Sequence, residues 1–129
     1  MQTTETVTSG SEDGLSVGAI LHLLDSGDVV IVVYGGYDHV GAVSLAIPRP
    51  SLEDPEKNSA TSSVLTVLGH KEDILVKEIG EQVAAATGRN LVVVGGVHYD
   101  GLEAEQLEIL KRLWRKLSES IILKLGRLG

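Results

Sequence analysis

The order of apolar and polar positions divides the chain into strands first and helices later. From residue 2 to residue 9 threonine alternates with other residues, which favours a strand, and the acidic "SEDG" that follows has the chemistry of a turn. A second strand is predicted over Leu15–Leu24, "LSVGAILHLL". After "DSGD", a third is predicted over Val29–Tyr34, "VVIVVY". That uninterrupted apolar run reads as a strand buried on both faces. "GGYDH" breaks it, and Val40–Ile47 predicts a fourth strand. Four strands so closely spaced favour an antiparallel meander over crossover units. Pro48–Ser62 holds all three prolines and predicts one long, mobile loop, and Ser63–Leu68 predicts a fifth strand.

From Lys71 the period changes. Leu75, Ile79, Val83 and Ala86 recur at helical spacing, and "TGRN" stops the helix with Gly88 as its left-handed cap. Leu91–Val94 predicts a sixth strand. From Glu103 onward Leu107, Leu110, Leu113 or Trp114, Leu117 and Ile121 form the stripe of a longer helix, with Asp100 and Glu103 spaced as a capping box. The order ββββ-β-α-β-α predicts an α+β fold: one domain over residues 1–129, with a largely antiparallel sheet of about six strands and two helices packed on it.

Composition narrows the chemistry. The chain has 129 residues, no Phe and a single Trp, so its core must be built from Val, Leu, Ile and Ala. A formal net charge of −7 opposes phosphate backbones, and no nucleic-acid partner is expected. The densest basic group, Lys111, Arg112, Arg115 and Lys116, alternates with leucines and reads as a solvated helix face. Zero cysteines exclude disulfides, thiolate catalysis and cysteine-based zinc sites. The first residues lack a secretory pattern and no apolar run reaches membrane-spanning length, so the expected location is the cytoplasm, without a membrane partner.

Three glycine–histidine junctions remain as candidate chemistry. They are "YGGYDHVGA" with Gly35, Gly36 and His39, "VLGHKED" with His70 and Lys71, and "VVVGGVHYDG" with Gly96, His98 and Asp100. Each follows a predicted strand, and the last two precede helices, whose N-termini favour anions such as phosphate or carboxylate. The same residues also admit plainer roles: Gly35 and Gly36 as a turn, His98 as a hydrogen-bonded structural histidine, and Asp100 as a helix cap. His22, inside an apolar strand, reads as structural or surface. His39, His70 and His98 lack the close spacing of a zinc site, and neither a serine-nucleophile elbow nor a nucleotide-binding loop ending occurs. No metal and no catalytic residue is therefore assigned.

The blocks "GGYDHVGAVSLAIP", "SVLTVLGHKEDILVKEIGEQVA" and "LVVVGGVHYDGLEAEQLEIL" resemble the small prenylated-flavin chaperone-like proteins. These are similar to the accessory subunit of UbiD-type aromatic acid decarboxylases and distantly to proteasome assembly chaperones. The resemblance runs from about Val29 to Leu125. It implies a noncatalytic helper that handles prenylated FMN or FMN, a homo-oligomer of two or more copies, and a UbiD-type decarboxylase as partner. Its motif positions carry over as candidate cofactor contacts: Gly36, His39 and Gly41; Gly69, His70 and Lys71; and Gly96, His98 and Asp100. Tyr34, Tyr37 and Tyr99 flank the junctions and offer walls for a flavin ring, while Lys71, His39 and the helix N-termini suit its phosphate. Two other readings stand beside this one. One is a small enzyme using His98 with Asp100, and His39 with His70, in acid–base roles. The other is a purely structural oligomeric partner protein.

Overall fold

The computed structural model describes residues 3–37, 39–67 and 73–128. Eight elements follow in order: β1 (Thr3–Glu12), β2 (Leu15–Leu23), β3 (Val29–Gly36), β4 (Ala42–Pro50), β5 (Asn58–Thr66), α1 (Asp73–Thr87), β6 (Leu91–His98) and α2 (Ala104–Leu128). The strands form one mixed sheet in the spatial order β1-β2-β3-β6-β4-β5. The expected α+β class and element order are both present.

The predicted meander holds for three strands only. β1 and β2 join through Asp13 and Gly14, whose positive φ values of 52° and 73° match a two-residue hairpin turn that preserves strand twist. β2 and β3 pair antiparallel. β4 then leaves its predicted place, because β6 inserts between β3 and β4. It runs parallel to β3 from Val29↔Leu91 to Gly36↔His98, and antiparallel to β4 from Ala42↔Gly95 to Ala46↔Leu91. The insertion has a physical logic: "LVVV" and "VVIVVY" are the most apolar strands and take the middle of the sheet, although only one face of each is buried within the chain, not the expected two.

The predicted long loop contracts as well. β4 continues to Pro50 and β5 starts at Asn58, which leaves only residues 51–57 outside the sheet. Pro48 and Pro50 pair with Ala60 and Asn58, yet β4 has no β6 neighbour beyond Ala46. An overhang bonded on one side only tolerates residues without an N–H.

Both helices pack on one face of the sheet: α1 on β4, β5 and β6, and α2 on β1 and β2. The core between them contains Val17, Ala19, Leu21, Ile31, Val33, Leu91 and Val93 from the strands. The helices add Leu75, Ile79, Val83, Leu113, Leu117, Ile121 and Leu125. Trp114 is the one aromatic side chain among the buried core residues described. Its indole N–H donates to Glu78 Oε2 at 2.8 Å, tying α2 to α1. Gly80 lets α1 come close to β4, since a Cβ there would stand 3.0 Å from Ser44 Oγ and 3.2 Å from the Ala46 methyl. Ser44 is fully buried and donates to the Val76 carbonyl at 2.8 Å, so its hydroxyl is satisfied in an apolar setting. Gly88 has φ +68°, and its N–H donates to the Ala84 carbonyl, ending α1 as the sequence predicts.

Candidate functional site

The chain must travel from β3 to β4 past β6, and it does so by crossing over the carboxyl end of that strand. Gly36 turns with φ +63°, a conformation open to glycine. Tyr37 N–H then donates to the His98 carbonyl at 2.9 Å, and Gly41 N–H donates to the Gly95 carbonyl at 2.8 Å. The Gly41 carbonyl accepts from Val67 N–H at 2.8 Å, so the buried Gly41 links β6, β4 and β5 at one point. Close approach of backbone to backbone explains the neighbouring glycines. A Cβ on Gly96 would overlap the His39 carbonyl, one on Gly36 would overlap the His98 carbonyl, and one on Gly35 would stand 2.6 Å from the Ser16 carbonyl.

This crossing brings two of the three candidate histidines together. The rings of His39 and His98 meet edge-on, with centroids 5.8 Å apart at 90°. Tyr37 stacks beside His39 at 6.4 Å and 24°. His39 Nδ1–H donates to the Tyr37 carbonyl at 3.1 Å. His98 Nε2–H donates to Asp100 Oδ1 at 2.8 Å, although Asp100 itself stands almost wholly in water. Tyr37, His39, Val40 and His98 line a shallow depression of about 280 Å3. Gly69, His70 and Lys71 lie outside the described residues. The chain enters that segment from Val67, which is bonded to Gly41, and leaves it at Asp73, in the first turn of α1.

The capping role falls on other residues than the sequence spacing indicates. α2 starts at Ala104, so Glu103, not Asp100, occupies the cap position. Gln106 Oε1 reaches back to accept from the Glu103 N–H at 3.1 Å. Asp100 is thereby left to partner His98. The three tyrosines separate by role. Tyr99 donates its hydroxyl hydrogen to the Ser16 carbonyl at 2.8 Å and accepts from Ser16 N–H at 2.9 Å, fastening β2 to the end of β6. The Tyr34 ring fills the space over Gly18. Tyr37, 74% exposed, is the one that lines the depression, together with Val40, which the sequence places in a strand. Val40 is 62% exposed on a short crossover loop, and an apolar residue between His39 and Gly41 was the available signal.

The depression offers an aromatic ring for stacking, two imidazoles for hydrogen bonding and an apolar lip. Among the described residues no group of three His, Cys, Asp or Glu side chains is arranged to hold a metal ion, and no helix is long and apolar enough to cross a membrane.

No protein of curated function matches the chain. A chain from the crystal structure of a novel chaperone complex for yeast 20S proteasome assembly matches with a TM-score of 0.50 at 16% identity, covering 90% of this chain and 98% of that one. At that identity the likeness is one of fold. The profile of the prenylated flavin chaperone LpdD-like domain matches residues 12–126, which include β2 through β6, the crossing loop and nearly all of α2. The chain belongs to the family of prenylated flavin chaperone LpdD-like domains.

Proposed function

We propose that the protein is a noncatalytic carrier that holds prenylated FMN, or FMN, at the carboxyl ends of β3 and β6 and presents it to a UbiD-type decarboxylase in the cytoplasm. The observation that carries this reading is the convergence of Tyr37, His39 and His98 around one depression in a chain of this family. The cofactor-binding residues are Gly35, Gly36, His39, Gly41, Gly69, His70, Lys71, Gly96, His98 and Asp100. Within that set Gly35, Gly36 and Gly96 let the chain fold tightly enough to bring the side chains together, and the histidines and Lys71 would supply the polar contacts. A flavin ring would stack on Tyr37, while its phosphate would draw on the donors of Lys71 and the imidazoles.

An absorbance scan of the purified protein tests for a copurified yellow chromophore. Titration calorimetry with prenylated FMN, FMN and inorganic phosphate measures the site directly. Loss of a charge-assisted hydrogen bond costs about 1.5–3 kcal/mol, so His98→Ala and Lys71→Ala are expected to weaken flavin binding about ten- to hundred-fold. Lys116→Ala, on the exposed side of α2, is expected to leave it unchanged. Absence of binding by the wild type to any of the three ligands would sink the carrier reading.

The His98–Asp100 pair supports a second reading, a small enzyme in which the carboxylate orients a general base. The high exposure of Asp100 favours a surface pair instead, because water weakens such an orienting contact.

A further inference from the structure

The sheet has a second face that the helices do not touch. Register runs one row of side chains along it through all six strands: Thr6, Ile20, Val32, Val94, Val43 and Leu65. The next row is Thr4, His22, Val30, Val92, Leu45 and Ser63. Ile20, Val32, Leu45 and Ile47 are 39–48% exposed, and Leu65 is 78% exposed. The chain has 18 Asp and Glu residues, yet none of them, and no Lys, occupies these rows or their continuations at Thr8, Tyr34, Ile47 and Thr61. Arg49 stands at one corner, bonded to Thr61 Oγ1. An antiparallel sheet meant for water carries polar residues on its wet face. β3 and β6 instead read as strands covered on both sides, and one side is covered within the chain.

We infer that this open face is the contact surface for a second copy of the chain, giving a sandwich of two six-stranded sheets with all four helices outside. The inference takes up the self-association that the sequence resemblance implies and specifies its surface. Three observations favour a second copy over another occupant. The first is area. Six strands of eight to ten residues present roughly 24 Å by 27 Å, about 650 Å2 in projection. That approaches the roughly 800 Å2 that each partner buries in a standard stable interface. The second is charge. Two copies at net −7 repel each other, and acidic residues such as Glu105, Glu108 and Glu119 stand on the outer side of α2. Contact through the rows without carboxylates is the approach that brings the fewest like charges together. A lipid surface would ask for a basic border, and among the described residues of these rows only Arg49 stands at a corner. The third is symmetry. A twofold axis lying in the plane of contact matches the face to itself, so rows of Val, Ile, Leu and Thr meet rows of the same kind at the usual sheet-to-sheet spacing of about 10 Å. Gly96 and His98 continue the row of Val92 and Val94 along β6, so the second copy would stand beside the Tyr37–His39–His98 depression.

Sedimentation equilibrium and light scattering at micromolar concentration test this. The wild type is expected at twice 13.7 kDa. Val32→Glu, at the centre of the face, and Leu65→Glu, at its open border, are each expected to weaken association at least a hundredfold and tenfold respectively. Leu65 is too exposed for its substitution to endanger the isolated fold, and circular dichroism checks both variants. The cysteine-free chain allows a second readout: the thiol of Leu45→Cys should react with a thiol reagent at least tenfold more slowly than that of Glu119→Cys. A wild type of 13.7 kDa overturns the inference, whether or not a decarboxylase then binds the face. So does a folded Leu65→Glu or Val32→Glu chain that dimerises as the wild type does, or equal reactivity of the two thiols. Flavin titration separates the claims: a dimer without flavin affinity removes the carrier reading alone, and a flavin-binding monomer removes the sandwich alone.

Discussion

The two faces of the sheet are built from the same strands, often from adjacent residues, yet they obey different rules. On the helix side Ala19, Ile31, Val93, Ile79 and Ile121 are shut off from water and interlock with one another. On the other side Ile20, Val32 and Leu45 keep 39–46% of their surface in solvent. The first face makes the fold, because it exists only when helices and sheet are together. The second contributes little to the isolated chain and is free to serve association. Alternation along a strand thus places folding residues and those of the proposed interface one position apart.

That contrast can be broken by substitution. The largest effect is expected from Ile121→Ala on the covered face, about 3–4 kcal/mol in urea unfolding, for lost transfer energy plus the cavity left behind. Val32→Ala on the open face should cost about 1 kcal/mol or less, visible only at concentrations where copies associate and absent on dilution. Equal costs at all concentrations would erase the distinction between the faces. Gly96→Ala should come next, at about 2–3 kcal/mol in thermal unfolding, because its new methyl meets the His39 carbonyl of the crossing loop.

A smaller effect is expected at the border of the covered face, where Glu81 of α1 accepts from the Ser62 hydroxyl at 2.6 Å and pairs with Lys77 at 2.8 Å. Burial pushes the Glu81 carboxyl up, but hydrogen bonds from Lys77 and Ser62 outweigh it and hold the group below its usual value of 4.5. A lowered folded value means that the stabilisation is complete above the ordinary carboxylate range and is lost as pH falls through the folded value. Glu81→Gln should therefore cost about 1 kcal/mol at neutral pH, given partial solvent screening, and nothing in strong acid. The smallest change has the opposite sign. Gly126→Ala near the end of α2 meets no atom within 4 Å and should stabilise by about 0.5 kcal/mol, since alanine favours helix.

The strands and helices were readable because their periods are set by burial on the covered face: Leu15, Val17, Ala19 and Leu21 at period two, and Leu110, Leu113, Leu117 and Ile121 at helical spacing. Which strand lies beside which was not readable. Pairing of β6 with β3 and β4 depends on contacts 45 to 62 residues apart, which periodicity does not encode. Pro48 and Pro50 read as loop residues because the absence of a β6 neighbour beyond Ala46 is a property of the assembled sheet. At the site, His39 and His98 could be named from their glycine context. That Gly36 and Gly96 make room for the chain's own carbonyls follows only from the crossing of β6 by the loop that holds Tyr37, His39 and Gly41.

The crossing also dictates an order of assembly. Without residues 91–98, the strands of the final sheet can pair only as β1-β2-β3 and as β4-β5. Besides the outer edges on β1 and β5, the inner borders on β3 and β4 have no strand partner until Leu91–His98 pairs with both. β6 is therefore the last strand made and the one that closes both borders at once. Such long-range closure is slow compared with forming a local hairpin. A chain that ends before Leu91 adds the edges of β3 and β4 to the open edges of the sheet, the condition under which polypeptides join to each other instead of to themselves.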